Sequence, residues 1–307
     1  STKRFWSFIK HRNTDKTNNI PVIERDGKTC TSAVDKATAL NEQFQSVFSS
    51  KQPLTLKQLA ENKLNAKSDV TKENQPVIAD ITVTTDGISK LLKGLDPTKA
   101  CGPDNIHSRV LKELTDTISP CFQVIFQRSL DTGEVPADWR TANVAPIYKK
   151  GKRHEAANYR PISLTCISSK ILEHIVVSHI MKYSDCHGII NDMQHGFRSN
   201  RSCETQLIGF IDDITKTMET GLQTDVLIMD FSKAFDKVDH NILCHKLDVY
   251  GIRGKTNDWI RNFLKDRSQS VVIDGESSLP IVVESGVPQG SVLGPGSVPL
   301  LHERSGG

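Results

Sequence analysis

Short apolar segments of two kinds alternate along this chain, and this alternation limits the folds open to it. In one kind, apolar residues recur at steps of three and four, as in residues 34–48, 168–182 and 203–218, which is typical of helices that bury one face. In the other kind, a few apolar residues stand between polar neighbours, as in ANVAPIYKK and DVLIMD. We therefore predict an α/β (α+β) fold in which DVLIMD is a buried strand.

The remaining segments fit the same scheme. Further helices are predicted over residues 86–95, around Val110 to Leu114, and over CFQVIFQRSL, which should end at Asp131 to Gly133. NYRPISL is expected to pair as a strand with ANVAPIYKK, and SVVID with PIVVESG through a DGESS turn. Residues 49–76 are polar and are predicted to be a linker.

Size and charge restrict the class of protein only loosely. The chain has 307 residues, enough for one large or two modest domains, and 39 Lys and Arg against 36 Asp and Glu leave a formal net charge of +3. That total argues against a histone-like nucleic-acid binder. Seven cysteines contain no C-x-x-C pair, so we expect reduced thiols.

No apolar run is long enough for a membrane span, and the first residues lack the apolar stretch of a signal peptide. We therefore expect an intracellular protein with no membrane partner. The chain starts at Ser1 and ends in GSVPLLHERSGG, and both ends are expected to be cuts in something larger.

Two clusters of positive charge interrupt the near balance of basic and acidic residues along the chain. Residues 149–160 hold five Lys or Arg against Glu155, and residues 1–16 hold five against Asp15. A basic hairpin can bind a triphosphate, and a basic arm can face nucleic acid. Both clusters fit an ordinary solvated surface as well.

The strand DVLIMD ends in Asp230, and a carboxylate at a strand end suits Mg²⁺, which prefers oxygen ligands. Asp236 and Asp239 follow, and the alternative for them is a helix start with acidic residues at its N-terminus. Further on, SGVPQGSVLGP has glycines that allow close backbone approach to a ligand, and Gln289 can donate and accept. A simple turn-rich loop remains the alternative there.

Five segments in one order carry a family resemblance. They are GPD (102–104), YRPISL (159–164), QHGFRSNRSCETQL (194–207), LIMDFSKAFDKVDH (227–240) and GVPQGSVLGP (286–295). This order resembles reverse transcriptases of non-LTR, LINE-like retrotransposons of the jockey type.

The resemblance implies a right-hand polymerase with fingers and a partial palm, preceded by a helical N-terminal extension and without a thumb. Its domains would be an N-terminal helical and linker segment (1–75), a helical segment (76–129), and the fingers and palm (130–307). Such an enzyme copies an RNA template onto a DNA primer from dNTPs with two Mg²⁺ (or Mn²⁺) ions. It would act in a nuclear or cytoplasmic ribonucleoprotein, and its oligomeric state stays open.

The resemblance also implies roles for individual residues. Asp230 would be the catalytic carboxylate and would bind metal together with the Phe231 carbonyl. Phe235 would exclude a ribose 2′-OH by a clash. The remaining implied residues contact the nucleotide (Lys149, Arg160, Gln289) or the template (Arg198, Arg201, Gly286, Pro288, Gly290). For the two template arginines, a structural salt bridge is the alternative.

One expected motif is absent from its place. After Pro295 the family has an aromatic-x-Asp-Asp hairpin, but this chain continues with GSVPLLHERSGG. The adjacent Asp212 and Asp213 imitate the motif, yet they precede Asp230 and are predicted to face solvent on a helix. With one catalytic carboxylate we expect this chain to be inactive as it stands.

Other functions are less well supported by the sequence. GIRGKT resembles the end of a phosphate-binding P-loop, but Val249 stands where the first glycine is required. A dehalogenase-like phosphatase requires an acidic residue where Ser232 stands. The main alternative is a non-catalytic, retrotransposon-derived module that binds nucleic acid or another partner.

Overall fold

The computed structural model describes residues 20–25, 27–49, 76–230 and 233–294. The N-terminal basic segment up to residue 19, most of the predicted linker, Phe231, Ser232 and the C-terminal tail lie outside the described residues. Within the described ranges, no helix is both long and apolar enough to cross a membrane.

Groups of helices alternate with groups of strands along the described chain. The first half of the chain contains β1 (Ile23–Arg25), β2 (Lys28–Cys30), α1 (Ala33–Gln45), α2 (Thr85–Lys93), α3 (Ser108–Glu113), α4 (Thr115–Thr132), β3 (Thr141–Tyr148) and β4 (Tyr159–Leu164). The second half contains α5 (Ile167–Cys186), α6 (Cys203–Glu219), α7 (His240–Val249), α8 (Lys255–Leu264), β5 (Arg267–Ile273), β6 (Glu276–Ser277) and β7 (Ile281–Val283).

Local signals set several of these boundaries. Thr84 caps α2 by accepting a hydrogen bond from the Gly87 N–H, and α2 ends at Gly94. Helix α4 stops at Gly133, whose φ of 70° is the left-handed conformation that glycine adopts without strain. The predictions over residues 86–95 and CFQVIFQRSL are confirmed.

Strand order follows the predicted pairs. Neighbours in the main sheet run β4-β3-β5-β6, and β7 also pairs with β5. Strands β5 and β6 are antiparallel, with Ile273 opposite Glu276. Asp274 and Gly275, at φ 51° and 84°, make the tight turn between them, as expected for an Asp-Gly hairpin. The predicted DGESS turn thus contains a short strand of its own.

The chain divides into two compact units. The first comprises residues 1–46, 144–162 and 270–281, and the second comprises 47–143, 163–269 and 282–307. The core of the first unit contains Ile23, Leu40 and Phe44. Beside this core, the buried Asn41 amide donates to Ser278 Oγ at 2.8 Å, which links helix α1 to the residue after β6.

The second unit has a larger core made by helices. Trp259 and Phe263 of α8 stack at 5.3 Å between ring centroids, and Trp259 Nε1 donates to Ser129 Oγ of α4 at 2.9 Å. Phe126 of α4 meets Trp139 edge to face at 5.8 Å. Aromatic contacts of this kind add stability beyond the area they bury.

The prediction of a buried strand at DVLIMD is wrong. Residues 225–230 have no regular secondary structure and are exposed, with Ile228 at 87%. A strand needs a partner for its backbone hydrogen bonds and a layer to cover its apolar face. None of the described residues provides either at this segment.

Helix α6 forms where periodicity predicts it, but no described element of the chain covers its apolar face. None of its residues is buried, and Leu207, Ile208 and Ile211 are each more than half exposed. Periodicity predicts that a helix has an apolar stripe. It does not guarantee that another element covers that stripe.

Candidate functional site

The glycine loop, residues 285–294, lies against the segment 235–238 in the second unit. The Gly286 N–H donates to the Val238 carbonyl at 2.8 Å, and the Val287 N–H donates to the Phe235 carbonyl at 2.9 Å. Two sequence motifs about fifty positions apart are thereby paired through their backbones. We take this pairing as the centre of the candidate site.

Two glycines make the close approach possible. Gly286 has φ 86°, and a Cβ there would lie 2.7 Å from the Phe235 carbonyl oxygen. Gly290 has φ 119°, and its Cβ would lie 2.7 Å from the Ser163 carbonyl oxygen. At both positions the loop approaches the protein's own backbone, whereas the sequence suggested approach to a ligand.

The loop is also fixed by backbone contact with the end of β4. The Ser163 N–H donates to the Gln289 carbonyl at 2.7 Å. The YRPISL and GVPQGSVLGP motifs therefore meet at this point, and the main chain of Gln289 is held directly by a neighbouring element.

The Gln289 side chain contacts Asp236. Its Nε2 donates to Asp236 Oδ1 at 2.7 Å. Burial raises the pKa of Asp236, and the hydrogen bond from Gln289 and the charge of Lys233 oppose that rise. Asp236 lies in a turn, so the helix-start interpretation does not describe it. It does describe Asp239, whose Oδ1 accepts the N–H groups of Asn241 and Ile242 at the start of α7.

Glu173 holds the other end of the loop. This residue of α5 is fully buried, and its Oε2 accepts the Val292 N–H at 2.8 Å and the Leu293 N–H at 3.1 Å. Burial raises the pKa of Glu173, although the two N–H groups and the charge of Arg267 act against the rise. Sequence reasoning missed Glu173. A carboxylate next to Leu172 on the apolar side of a helix was the available signal.

Phe235 is half-buried beside the loop. Its ring meets that of Phe197 edge to face, with centroids 6.3 Å apart. The phenyl group therefore packs against the core of the second unit and also contacts a second aromatic ring. A side chain held in this way can act as a steric barrier to a ligand.

The GPD motif packs tightly next to β4. A Cβ on Gly102 would lie 2.5 Å from the Cys166 backbone nitrogen, so no larger residue fits.

Cys166 is buried, and its Sγ donates to the Asp138 carbonyl at 3.3 Å. Burial raises the pKa of the Cys166 thiol to about 12. All seven cysteines are free thiols, as predicted.

Asp230 stands apart from these contacts. It lies in the exposed segment, and Phe231 is outside the described residues. Among the described residues, no group of three or more His, Cys, Asp or Glu side chains is arranged to hold a metal ion. The described residues around Asp230 therefore do not fit a two-metal site.

Lys149 and Arg160 belong to the first unit. Both are exposed, at the end of β3 and in β4. The Lys149 N–H donates to the Asn158 carbonyl at 2.9 Å, which extends the strand pair. Arg153, in the connection, stacks over the Tyr148 ring at 5.0 Å.

The two candidate template arginines form ion pairs. Arg198 contacts Asp185 at 3.0 Å and Asp192 at 3.5 Å, and Arg201 contacts Asp192 at 3.3 Å. These ion pairs agree with the alternative of a structural salt bridge for the two arginines, while their contact with the template stays a prediction.

Asp212 and Asp213 are exposed on α6, and Asp212 pairs with Lys216 at 2.6 Å. The interpretation of these two aspartates as solvent-facing is confirmed.

Comparison with known proteins identifies the family. Residues 147–303 match the model of the reverse transcriptase (RNA-dependent DNA polymerase) family. The chain is 30% identical over 220 residues to the RNA-directed DNA polymerase from mobile element jockey of Drosophila melanogaster, a match covering 69% of this chain and 23% of that protein. The jockey polymerase of Drosophila funebris is 28% identical over 291 residues, which is 94% of this chain and 31% of that protein.

A further relative is the probable RNA-directed DNA polymerase from transposon BS of Drosophila melanogaster, 26% identical over 297 residues, 94% of this chain and 32% of that protein. The chain thus spans about a third or less of the length of these curated relatives. Its mixed helices and strands agree with the family, and the matching proteins come from non-LTR retrotransposons. The chain belongs to the reverse transcriptase family.

Proposed function

We propose that this chain supplies the nucleotide-handling part of a non-LTR RNA-directed DNA polymerase, with fingers and partial palm in residues 130–307. The observation that carries the proposal is the backbone pairing of the glycine loop with the segment that bears Phe235. It joins two of the family's motifs through backbone hydrogen bonds. The helical segments 1–75 and 76–129 would precede the polymerase core.

Within this proposal, the deoxynucleotide sugar lies between Phe235 and Gln289. The Phe235 ring, held by Phe197, excludes a ribose 2′-OH by a clash. Lys149 and Arg160 hold the triphosphate, because Arg forms bidentate contacts to phosphate and Lys supplies a point charge. Both cations are exposed and available to a ligand.

The template would contact the loop residues Gly286, Pro288 and Gly290. Arg198 and Arg201, which belong to the family motif that precedes Asp230, would contact the template as well. The family resemblance assigns a divalent ion, Mg²⁺ or Mn²⁺, to Asp230 and the Phe231 carbonyl, but among the described residues no cluster of three ligating side chains completes such a site. Two-metal nucleotidyl transfer requires more carboxylates than Asp230 alone supplies.

A protein made of these 307 residues is therefore expected to be inactive in DNA synthesis. Asp212 and Asp213 do not replace the absent aromatic-x-Asp-Asp pair, because they lie on the exposed face of α6. Primer extension with an RNA template, a DNA primer, dNTPs and Mg²⁺ should yield no product. Robust synthesis that disappears in Asp230→Asn would overturn the expectation.

Nucleotide binding tests the proposed function independently of synthesis. Titration of a fluorescent dNTP into the chain should show saturable binding that Lys149→Ala, Arg160→Ala and Gln289→Ala each weaken. Lys90→Ala, at an exposed position of α2, is the matched control and should bind as the parent does. Absence of binding by the parent chain would refute the nucleotide site.

The second candidate function is nucleic-acid binding without catalysis. The observation in its favour is that the side chains of Lys149, Lys150 and Arg160 are all exposed around the β3–β4 connection. Phosphate contacts give an affinity that falls steeply with salt. RNA binding with a steep salt dependence, in a chain that binds no dNTP, would favour this function over the first.

A further inference from the structure

A hydrogen bond between Asp236 and Gln289 fixes the orientation of the Gln289 side-chain amide. Asp236 is mostly removed from water, and its Oδ1 accepts from Gln289 Nε2 at 2.7 Å across 53 positions of sequence. A carboxylate in such surroundings requires a hydrogen-bond donor, since an unpaired buried acceptor is costly. Gln289 provides that donor.

Both partners are also held through their main chains. Phe235, immediately before Asp236, accepts the Val287 N–H, and the carbonyl of Asp236 itself accepts from Ser285 Oγ at 2.8 Å. On the other side, the Gln289 carbonyl accepts the Ser163 N–H. With both backbones fixed, the side-chain bond selects one rotamer and one amide orientation for Gln289.

The Asp236 carboxylate and the Gln289 amide can form this hydrogen bond in only one of the two orientations of the amide. An ionised carboxylate only accepts hydrogen bonds, whereas a Gln amide has a donor end and an acceptor end. Rotating the amide by half a turn would place Oε1 against Oδ1, two acceptors in contact. The bonded arrangement therefore leaves Oε1 and one N–H of Gln289 without a hydrogen-bond partner among the described residues and open to a ligand.

We propose that Asp236 is a positioning residue that sets the amide orientation of Gln289 and thereby the affinity of this site for a deoxynucleotide. The inference rests on the proposed function, which puts Gln289 beside the nucleotide sugar. Asp236 itself does not touch the nucleotide. Its effect is carried entirely by the Gln289 amide.

A double-mutant cycle tests this dependence. Affinity for a fluorescent dNTP is measured for the 307-residue chain and for Asp236→Ala, Gln289→Ala and the double variant. Each single variant should weaken binding by about 3- to 10-fold, the range expected for one net hydrogen bond. The double variant should be no weaker than Gln289→Ala. Additive losses, or no loss in Asp236→Ala, would overturn the proposal.

Two further variants separate positioning from general damage. Asp236→Asn keeps an acceptor oxygen at the same place and should recover most of the affinity lost in Asp236→Ala. Asp213→Ala, at an exposed aspartate of α6, is the matched control and should leave binding unchanged. Failure of Asn to recover binding in a chain that melts at the parent's temperature would count against the proposal.

A measurement without nucleotide separates the positioning role of Asp236 from the proposed nucleotide-binding function. The side-chain amide resonances of Gln289, assigned with selective ¹⁵N-Gln labelling, should shift in Asp236→Ala and stay in place in Asp213→Ala. If the parent chain binds no dNTP, the proposed function fails while this comparison still decides the contact. Unchanged Gln289 resonances in Asp236→Ala would refute the positioning role.

Discussion

The fully buried carboxylate of Glu173 accepts the backbone N–H of Leu293 at 3.1 Å, across 120 positions of sequence. The same oxygen accepts the Val292 N–H, and the other accepts from Ser169 Oγ at 3.2 Å. One side chain of α5 thus satisfies two backbone donors of the glycine loop, of which that of Leu293 is buried and that of Val292 is partly buried. Removing it leaves both donors without their protein partner.

Glu173→Ala should therefore destabilise the second unit by about 2–4 kcal/mol, from the unpaired donors and the space left by the side chain. Glu173→Gln keeps one acceptor oxygen and should lose less. Urea unfolding followed by tryptophan fluorescence measures both changes. Glu113→Ala, at an exposed end of α3, should match the parent, and an equally stable Glu173→Ala would contradict the anchoring role.

A substitution at Gly286 tests the backbone pairing. Gly286→Ala places a Cβ 2.7 Å from the Phe235 carbonyl and requires a left-handed residue, so stability should fall by about 1–3 kcal/mol. Gly209→Ala is the matched control, because Gly209 lies inside α6 with nothing within 4 Å of its Cβ. Helix propensity predicts that the control gains about 0.5–1 kcal/mol. Equal melting temperatures for the two variants would refute the close approach.

Thiol reactivity should follow burial. Cys166 is buried, and burial raises its pKa to about 12, so very little thiolate exists at pH 8. Cys121, Cys186 and Cys203 are exposed. Alkylation with iodoacetamide at pH 8, followed by peptide mass spectrometry, should label the exposed three first and Cys166 only after denaturation. Early labelling of Cys166 in the folded chain would show that it is accessible.

His240 gives the glycine loop a pH-sensitive contact. Its Nε2–H donates to the Gly286 carbonyl at 2.7 Å, and burial lowers the pKa of His240 below its ordinary 6.5. Between the lowered pKa and 6.5 the unfolded chain binds a proton that the folded chain does not. The free energy of unfolding should therefore fall as the pH falls through this window.

Burial raises the pKa values of Glu173 and Asp236, so both carboxyls give the opposite trend, and the comparison must be made between variants. The free energy of unfolding is measured by denaturation from pH 5 to pH 7.5. The fall towards low pH that His240 contributes should be present in the parent and absent in His240→Asn. His174→Asn, which changes an exposed histidine, should retain it. Parallel curves for parent and His240→Asn would contradict the shift.

The uncovered face of α6 predicts self-association. Leu207, Ile208 and Ile211 line an open apolar surface, and exposed apolar surfaces of this kind favour association. Ile211→Lys should shift the sedimentation coefficient towards that of a monomer and reduce binding of an apolar dye, without loss of stability. Ile106→Lys, at an exposed apolar residue before α3, should change neither property. A parent chain that is already monomeric and binds no dye would refute this prediction.

Local features of the sequence were sufficient for most elements of the fold. Residues that recur at three- and four-residue steps became α2, α4, α5 and α6, and Asp274 with Gly275 made the β5–β6 turn. These elements form because caps, turn residues and periodicity act over a few neighbouring positions. The motif order was also sufficient to predict the family.

Only the tertiary structure decided how the site is held. Glu173 reaches Leu293, and Asp236 reaches Gln289, through contacts between distant residues that no local pattern encodes. The same reason explains the error at DVLIMD, where an apolar run with strand propensity stays exposed. A helix makes its backbone hydrogen bonds within itself, but a strand and a buried carboxylate both depend on partners brought by the rest of the chain.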